Sequence, residues 1–109
     1  MKTKAIPAEL NQAIEIIKQN ANPVRIILFG SRARGDNDPD SDYDILIVTK
    51  EAGNEREITR NIYKEMYQQN IMLDIELIAV NQDKWQSSKD QLGLIYKQVE
   101  SEGVDLYRE

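Results

Sequence analysis

Gly30-Ser-Arg-Ala-Arg-Gly-Asp-Asn-Asp-Pro-Asp-Ser-Asp-Tyr-Asp44 joins two short apolar runs. Before it stands Val24-Arg-Ile-Ile-Leu-Phe29, rich in β-branched residues and stopped by Gly30. Such a run predicts a buried strand. After it, Asp42 to Val48 predicts a second strand whose apolar end is Ile45-Leu46-Ile47-Val48. The link is about a dozen polar, turn-rich residues, too short for a helical crossover, so the two strands are expected to be antiparallel.

Further out, Leu10, Ala13, Ile14 and Ile17 recur at helical spacing after Pro7, which predicts a helix over residues 8–20 ended by Asn20 to Pro23. Asn54 with Glu57 has the form of a capping box. A helix should therefore begin near Glu55, with Ile58, Ile62 and Met66 as its apolar stripe, flanked by Tyr63 and Tyr67. A third strand is expected over Met72 to Ala79, with Asp74 and Glu76 on one face. A helix separates it from the second strand, so those two should be parallel by a right-handed crossover. Asn81 to Trp85 reads as a short helical turn. Ser88 with Gln91 reads as the cap of a last helix carrying Leu92, Ile95 and Val99 and ended by Gly103. Val104 to Tyr107 would pack back or add a short edge strand. The order predicts one α/β domain over residues 1–109, a two-layer α+β arrangement with helices packed on a small mixed sheet.

Composition narrows the chemistry. There is no cysteine and no histidine. That excludes disulfides, zinc knuckles, iron–sulfur ligation and any nucleophile activated by a histidine. A metal held by side chains must then sit on oxygen, which points to Mg²⁺, Mn²⁺ or Ca²⁺. Acidic residues outnumber basic ones, 19 to 14, for a net charge of −5 and a pI near 4.8. A domain so charged is a poor partner for a phosphate backbone, so no direct nucleic-acid binding is expected. No secretory apolar region follows Met1 to Lys4, and no run nears the ~18 apolar residues of a membrane span. The expectation is a cytoplasmic protein that does not enter the membrane.

The loop itself carries the chemistry. Gly30 and Gly35 have P-loop spacing, but Asp36-Asn37 stands where Lys-Ser/Thr is required. Asp36, Asp38 and Asp40 mimic the start of an EF-hand, yet Ser41 and Ile47 replace the turn glycine and the bidentate Glu. Those three aspartates read as a solvated turn around Pro39. Gly30 and Ser31, by contrast, stand where a strand gives way to a turn or short helix, a place where backbone N–H groups hold anions. Asp42 and Asp44 share a strand face about 7 Å apart at Cβ. Carboxylates so placed repel each other unless cations lie between them. Two Mg²⁺ ions ~4 Å apart would neutralise them and clamp an attacking and a leaving oxygen. Asp74, on the neighbouring strand, is the candidate third carboxylate and base, with Glu76 on the same face as its competitor. Arg32 and Arg34 could each neutralise a triphosphate or pair with the local aspartates. Tyr43 must point to the opposite face and is expected in the core. Tyr63 and Tyr67 are read as packing or interface residues, and Trp85 as partly buried.

Gly30-Ser31, ten residues, then Asp42-x-Asp44 resembles the G-S-x10-D-x-D signature of the DNA polymerase β-like nucleotidyltransferase superfamily. The full run over residues 30–44 is similar to its minimal nucleotidyltransferase branch, whose small members are often antitoxins of HEPN/MNT toxin–antitoxin pairs. The resemblance implies a palm-like core binding ATP with two Mg²⁺ ions. It implies that Gly30, Ser31 and Arg34 contact the nucleotide, and that Asp42, Asp44 and Asp74 hold the metals and carry catalysis. The implied reaction moves AMP from ATP to a hydroxyl, in such pairs a tyrosine of the HEPN toxin. Two alternatives stay open: an antitoxin that masks its toxin by contact alone, and a small-molecule nucleotidyltransferase. The latter needs an acceptor pocket that 109 residues are not expected to supply. An exposed sheet edge or the tyrosine-bearing helix could also make a homodimer or a hetero-oligomer with the toxin.

Overall fold

The computed structural model describes residues 7–50, 53–88 and 95–109. Gln91 and Leu92, assigned above to the last helix, lie outside the described residues. Helix α1 spans Ala8–Ala21 and is closed by Asn22 in the left-handed region (φ 46°). Strand β1 (Pro23–Phe29), the short helix α2 (Ser31–Arg34) and strand β2 (Tyr43–Thr49) follow. Helix α3 (Glu55–Gln68) leads to strand β3 (Ile75–Asn81). Helices α4 (Gln82–Ser88) and α5 (Ile95–Glu102) precede strand β4 (Val104–Arg108).

The sheet has the order β3-β2-β1-β4. As expected, β1 and β2 are antiparallel, and β2 and β3 are parallel, joined through α3. The tail does add an edge strand: β4 runs antiparallel to β1. It starts where Gly103 N–H donates to the Val99 carbonyl (2.8 Å) and ends α5. Asn54 caps α3 as predicted, its side chain accepting from Glu57 N–H (3.0 Å). In the same way Asn81 caps α4, accepting from Lys84 N–H (2.9 Å). Ser88, read above as the cap of the last helix, is instead the final residue of α4.

Strand alternation sorts the apolar residues into two cores. On one face Ile26, Leu28, Ile45, Ile47, Ile75 and Leu77 pack against α1 and α3, which contribute Leu10, Ile17, Ile62 and Met66. On the other, Ile27, Phe29, Leu46, Val48 and Val80 pack against Trp85 of α4 and Val99 of α5. Ile45 to Val48 are buried without a break because β2 is a central strand covered on both sides. The mixed sheet with packed helices expected from sequence is present, but helices lie on both of its faces, α1 and α3 on one and α4 and α5 on the other, where two layers were expected.

Strand β3 begins at Ile75, three residues later than the periodicity suggests. The chain leaving α3 turns at Asn70 (φ 57°), and Ile71 N–H bonds back to the Met66 carbonyl. Met72 N–H then donates to a Glu9 carboxylate oxygen of α1 (2.6 Å) rather than to the sheet. The chain first meets β2 at Asp74, whose carbonyl accepts from Tyr43 N–H (2.9 Å). Among the described residues, no helix is long and apolar enough to cross a membrane.

Trp85 is 2% exposed and is among the largest fully buried side chains. Trp85→Ala should lower the unfolding free energy by about 3–5 kcal/mol in urea denaturation. A loss below ~1 kcal/mol would contradict its place in the second core.

Candidate active site

The end of β1, α2, the loop after it and the first residues of β2 and β3 meet at one end of the sheet. Gly30 sits at the hinge between β1 and α2 with φ 76° and ψ −159°, a conformation suited to glycine. Asp44 is paired across the strands with Phe29, which brings its carboxylate over Gly30. A Cβ placed on Gly30 would overlap Asp44 Oδ2. Glycine is thus required twice over, by the backbone angle and by the carboxylate packed against it. The Gly30 carbonyl accepts from Ala33 N–H and Arg34 N–H (both 3.0 Å), which folds Ser31–Arg34 into one helical turn. Gly35 closes that turn at φ 89°. Ser31 opens it, half-buried, next in the chain to the Gly30 hinge.

The structure brings Asp44 and Glu76 side by side, directly paired in the parallel register of β2 and β3. Asp42 precedes β2 by one residue and is exposed. By alternation Asp44 and Glu76 share the sheet face of Leu46 and Val48, the one covered further along by α4 and α5. Burial pushes the Asp44 carboxyl above its ordinary pKa, and the charges of Glu76 and then Asp42 push it further; Arg34 opposes them. Asp74 is placed differently from the sequence expectation. It lies ahead of β3, is exposed, and meets β2 through its backbone carbonyl. Glu76, weighed above only as its competitor, is the β3 carboxylate that acts on Asp44. Glu76, equally exposed, lies inside the strand, whereas Asp74 lies one residue before it.

The two arginines separate. Arg34 is exposed and pairs with Asp36 (3.1 Å) and with Glu102 at the end of α5 (3.2 Å). Arg32 turns the other way, onto the carbonyls of Pro39 and Ser41 and the ring of Tyr43. Nothing in the residue pattern distinguishes these roles. Tyr43 is half-buried against the first core, on the face opposite Asp44, as alternation requires. Asp38 and Asp40 lie in an exposed turn closed by Ser41 N–H to Asp38 O (3.1 Å) and Asp38 N–H to Ser41 Oγ (2.9 Å).

All the candidate ligands are carboxylate oxygens, which suit a hard divalent cation. A cation would relieve the repulsion that raises Asp44. Among the described residues no three carboxylates converge closely enough to hold a cation as they stand. The donor type suits such a cation, whereas the described side-chain positions do not gather three donors around one point.

Residues 11–107 match the family described as polymerase beta, nucleotidyltransferase, and the chain belongs to that family. It is 47% identical over 49 residues to a Methanocaldococcus jannaschii protein named "Putative protein adenylyltransferase MJ0141". That match covers 37% of this chain and 50% of the relative, so it spans about half the relative's length. Among solved structures, a toxin–antitoxin crystal structure with AMP-PNP aligns at a TM-score of 0.62 and 22% identity, covering 94% of this chain and 75% of that one. A Sulfolobus solfataricus structure described as "a putative nucleotidyltransferase" aligns at 0.54 and 22% identity, covering 93% and 78%. At such identity the structural likeness speaks to fold.

Because the folded pKa of Asp44 is raised, the folded state binds its proton more tightly than the unfolded chain does. Its contribution to stability therefore falls as pH rises through the interval between the two values, and the penalty is complete at neutral pH. Asp44→Asn should raise the thermal midpoint of the ligand-free protein at pH 7, by a margin that shrinks toward pH 4. A lower midpoint at pH 7 would contradict the crowded-carboxylate description.

Proposed function

We propose that this chain is a Mg²⁺-dependent nucleotidyltransferase that moves AMP from ATP to a hydroxyl of a partner protein. The acceptor we favour is a tyrosine of a HEPN-domain toxin, which would make the chain an antitoxin. The observation that carries this reading is the Asp44 carboxylate packed on Gly30 and paired with Glu76. It joins the phosphate-binding hinge and the carboxylates in one place, in a chain of the nucleotidyltransferase family.

In this reading Gly30 and Ser31 hold the triphosphate through backbone N–H groups, since the first N–H groups of a helical turn lack partners within it. Arg34 adds positive charge; its present partners are exposed ion pairs, which are weak and readily exchanged. Asp42 and Asp44, with Glu76, would hold two Mg²⁺ ions. Bound there, magnesium supplies charge neutralisation for the triphosphate and the developing charge of transfer. The acceptor oxygen bonds to the α-phosphorus as the bond to the bridging oxygen breaks. Pyrophosphate leaves with that electron pair, and the hydroxyl proton passes to Glu76, which we place in the base role in preference to Asp74.

Two concavities, of about 410 and 280 Å³, are lined by Trp85, Arg25 and Glu100, and by Glu55, Lys84 and Tyr96. Neither includes Asp42, Asp44 or Glu76. Asp42 and Glu76 are exposed, which leaves them within reach of an acceptor carried by another protein.

Incubation with a HEPN partner, ATP and Mg²⁺ should add AMP to the partner, read by intact mass. Asp42→Asn and Asp44→Asn should abolish the addition. Glu76→Gln should slow it by about 100-fold or more, the usual scale for a lost base, and Asp74→Asn far less. Addition that survives Asp44→Asn would refute the proposal. Toxin neutralisation that persists with no AMP added would support masking by contact. Equal losses in Glu76→Gln and Asp74→Asn would remove the preference for Glu76.

A further inference from the structure

We infer that Arg32 is the positioning residue of this site: it sets where Asp42 stands relative to the Gly30-Ser31 hinge. The inference rests on the reading of that site given above. Arg32 Nε and Nη2 both donate to the Ser41 carbonyl (3.2 and 3.1 Å), and Nη2 also donates to the Pro39 carbonyl (3.0 Å). The guanidinium lies over the Tyr43 ring, 4.5 Å from its centroid. The Ser41 carbonyl shares a rigid peptide plane with the Asp42 nitrogen. Tyr43 is the residue on the other side of Asp42. One side chain therefore holds the Ser41 carbonyl on one flank of Asp42 and packs on the Tyr43 ring on the other, while the Asp42 carboxylate stays exposed.

The segment needs such a grip. Asp38, Pro39 and Asp40 are exposed, and the bonds between Asp38 and Ser41 are internal to the turn. Among the described residues, the hydrogen bonds that tie this turn to α2 come from Arg32. A planar fork can reach two carbonyls while sitting over a ring; a lysine has the charge and stem but lacks the fork. The arginines then divide their work: Arg32 is committed to backbone carbonyls, leaving Arg34 for the nucleotide.

The test compares Arg32→Lys and Arg32→Ala with wild type, with Arg60→Ala of α3 as a charge-loss control. Two readouts are used: amide hydrogen exchange by NMR without nucleotide, and calorimetric affinity for AMP-PNP with Mg²⁺. Ser41 and Tyr43 amides should exchange on the order of tenfold faster in both Arg32 variants, while α1 and β1 amides stay unchanged. AMP-PNP affinity should fall by about 10-fold or more in both, as for lost groups that orient metal ligands. The control should match wild type. If Arg32→Ala fails to fold, Arg32→Lys decides the matter, since it keeps charge and stem. Wild-type exchange at Ser41 and Tyr43, or full affinity in Arg32→Lys, would overturn the inference. Absence of AMP-PNP binding by the wild type would instead overturn the proposed function, and loop exchange would still decide the positioning role.

Discussion

The contact on which the site depends is that of the Asp44 carboxylate with the backbone of Gly30, where no side chain has room to stand. It follows from the antiparallel register of β1 and β2, which sets Phe29 opposite Asp44 and brings the hinge under the carboxylate. That register is in turn held by the unbroken apolar run Ile45 to Val48, each residue buried on one face or the other. A slip of one residue would reverse the faces and drive the carboxylates into the core. The cores thus specify the site's geometry although they lie outside it.

The same contact has an energetic cost. Asp44 is half-buried beside two other carboxylates, and its raised pKa records that the ligand-free fold holds this charge reluctantly. Natural sites often carry such local conflict, offset by cohesion elsewhere. Here the offset comes from two apolar cores, one on each sheet face, and from β4, which pairs with β1 and is pinned by Arg25 to Asp105 (2.9 Å). A cation at the carboxylates would turn the repulsion into binding energy, linking metal occupancy to stability.

Much of this was legible in the residues. The strand–loop–strand reading of residues 24–48, the crossover helix capped by Asn54 and the edge strand after Gly103 follow from apolar runs and caps that act locally. The start of β3 does not, because Met72 N–H is taken by Glu9, some sixty residues away in the chain. Alternation alone places Asp74 and Glu76 on one face and does not rank them. Ranking them needs the register with β2. The contrast between Arg32 and Arg34 is likewise tertiary, since one faces a carbonyl-lined turn and the other the end of α5. The carboxylate pair and the glycine hinge were readable because they lie within fifteen consecutive residues.

The proposed function brings the glycine hinge and the carboxylates of β2 and β3 together in one reaction, at the α-phosphate of a nucleotide. The most direct measurement supplies ATP labelled at either the α- or the γ-phosphate, together with Mg²⁺ and a HEPN partner, and follows where the label goes. The account predicts that α-label enters the partner protein while pyrophosphate is released in equal amount. Label transferred from the γ-phosphate, or α-label that never enters protein while ATP is consumed, would contradict it.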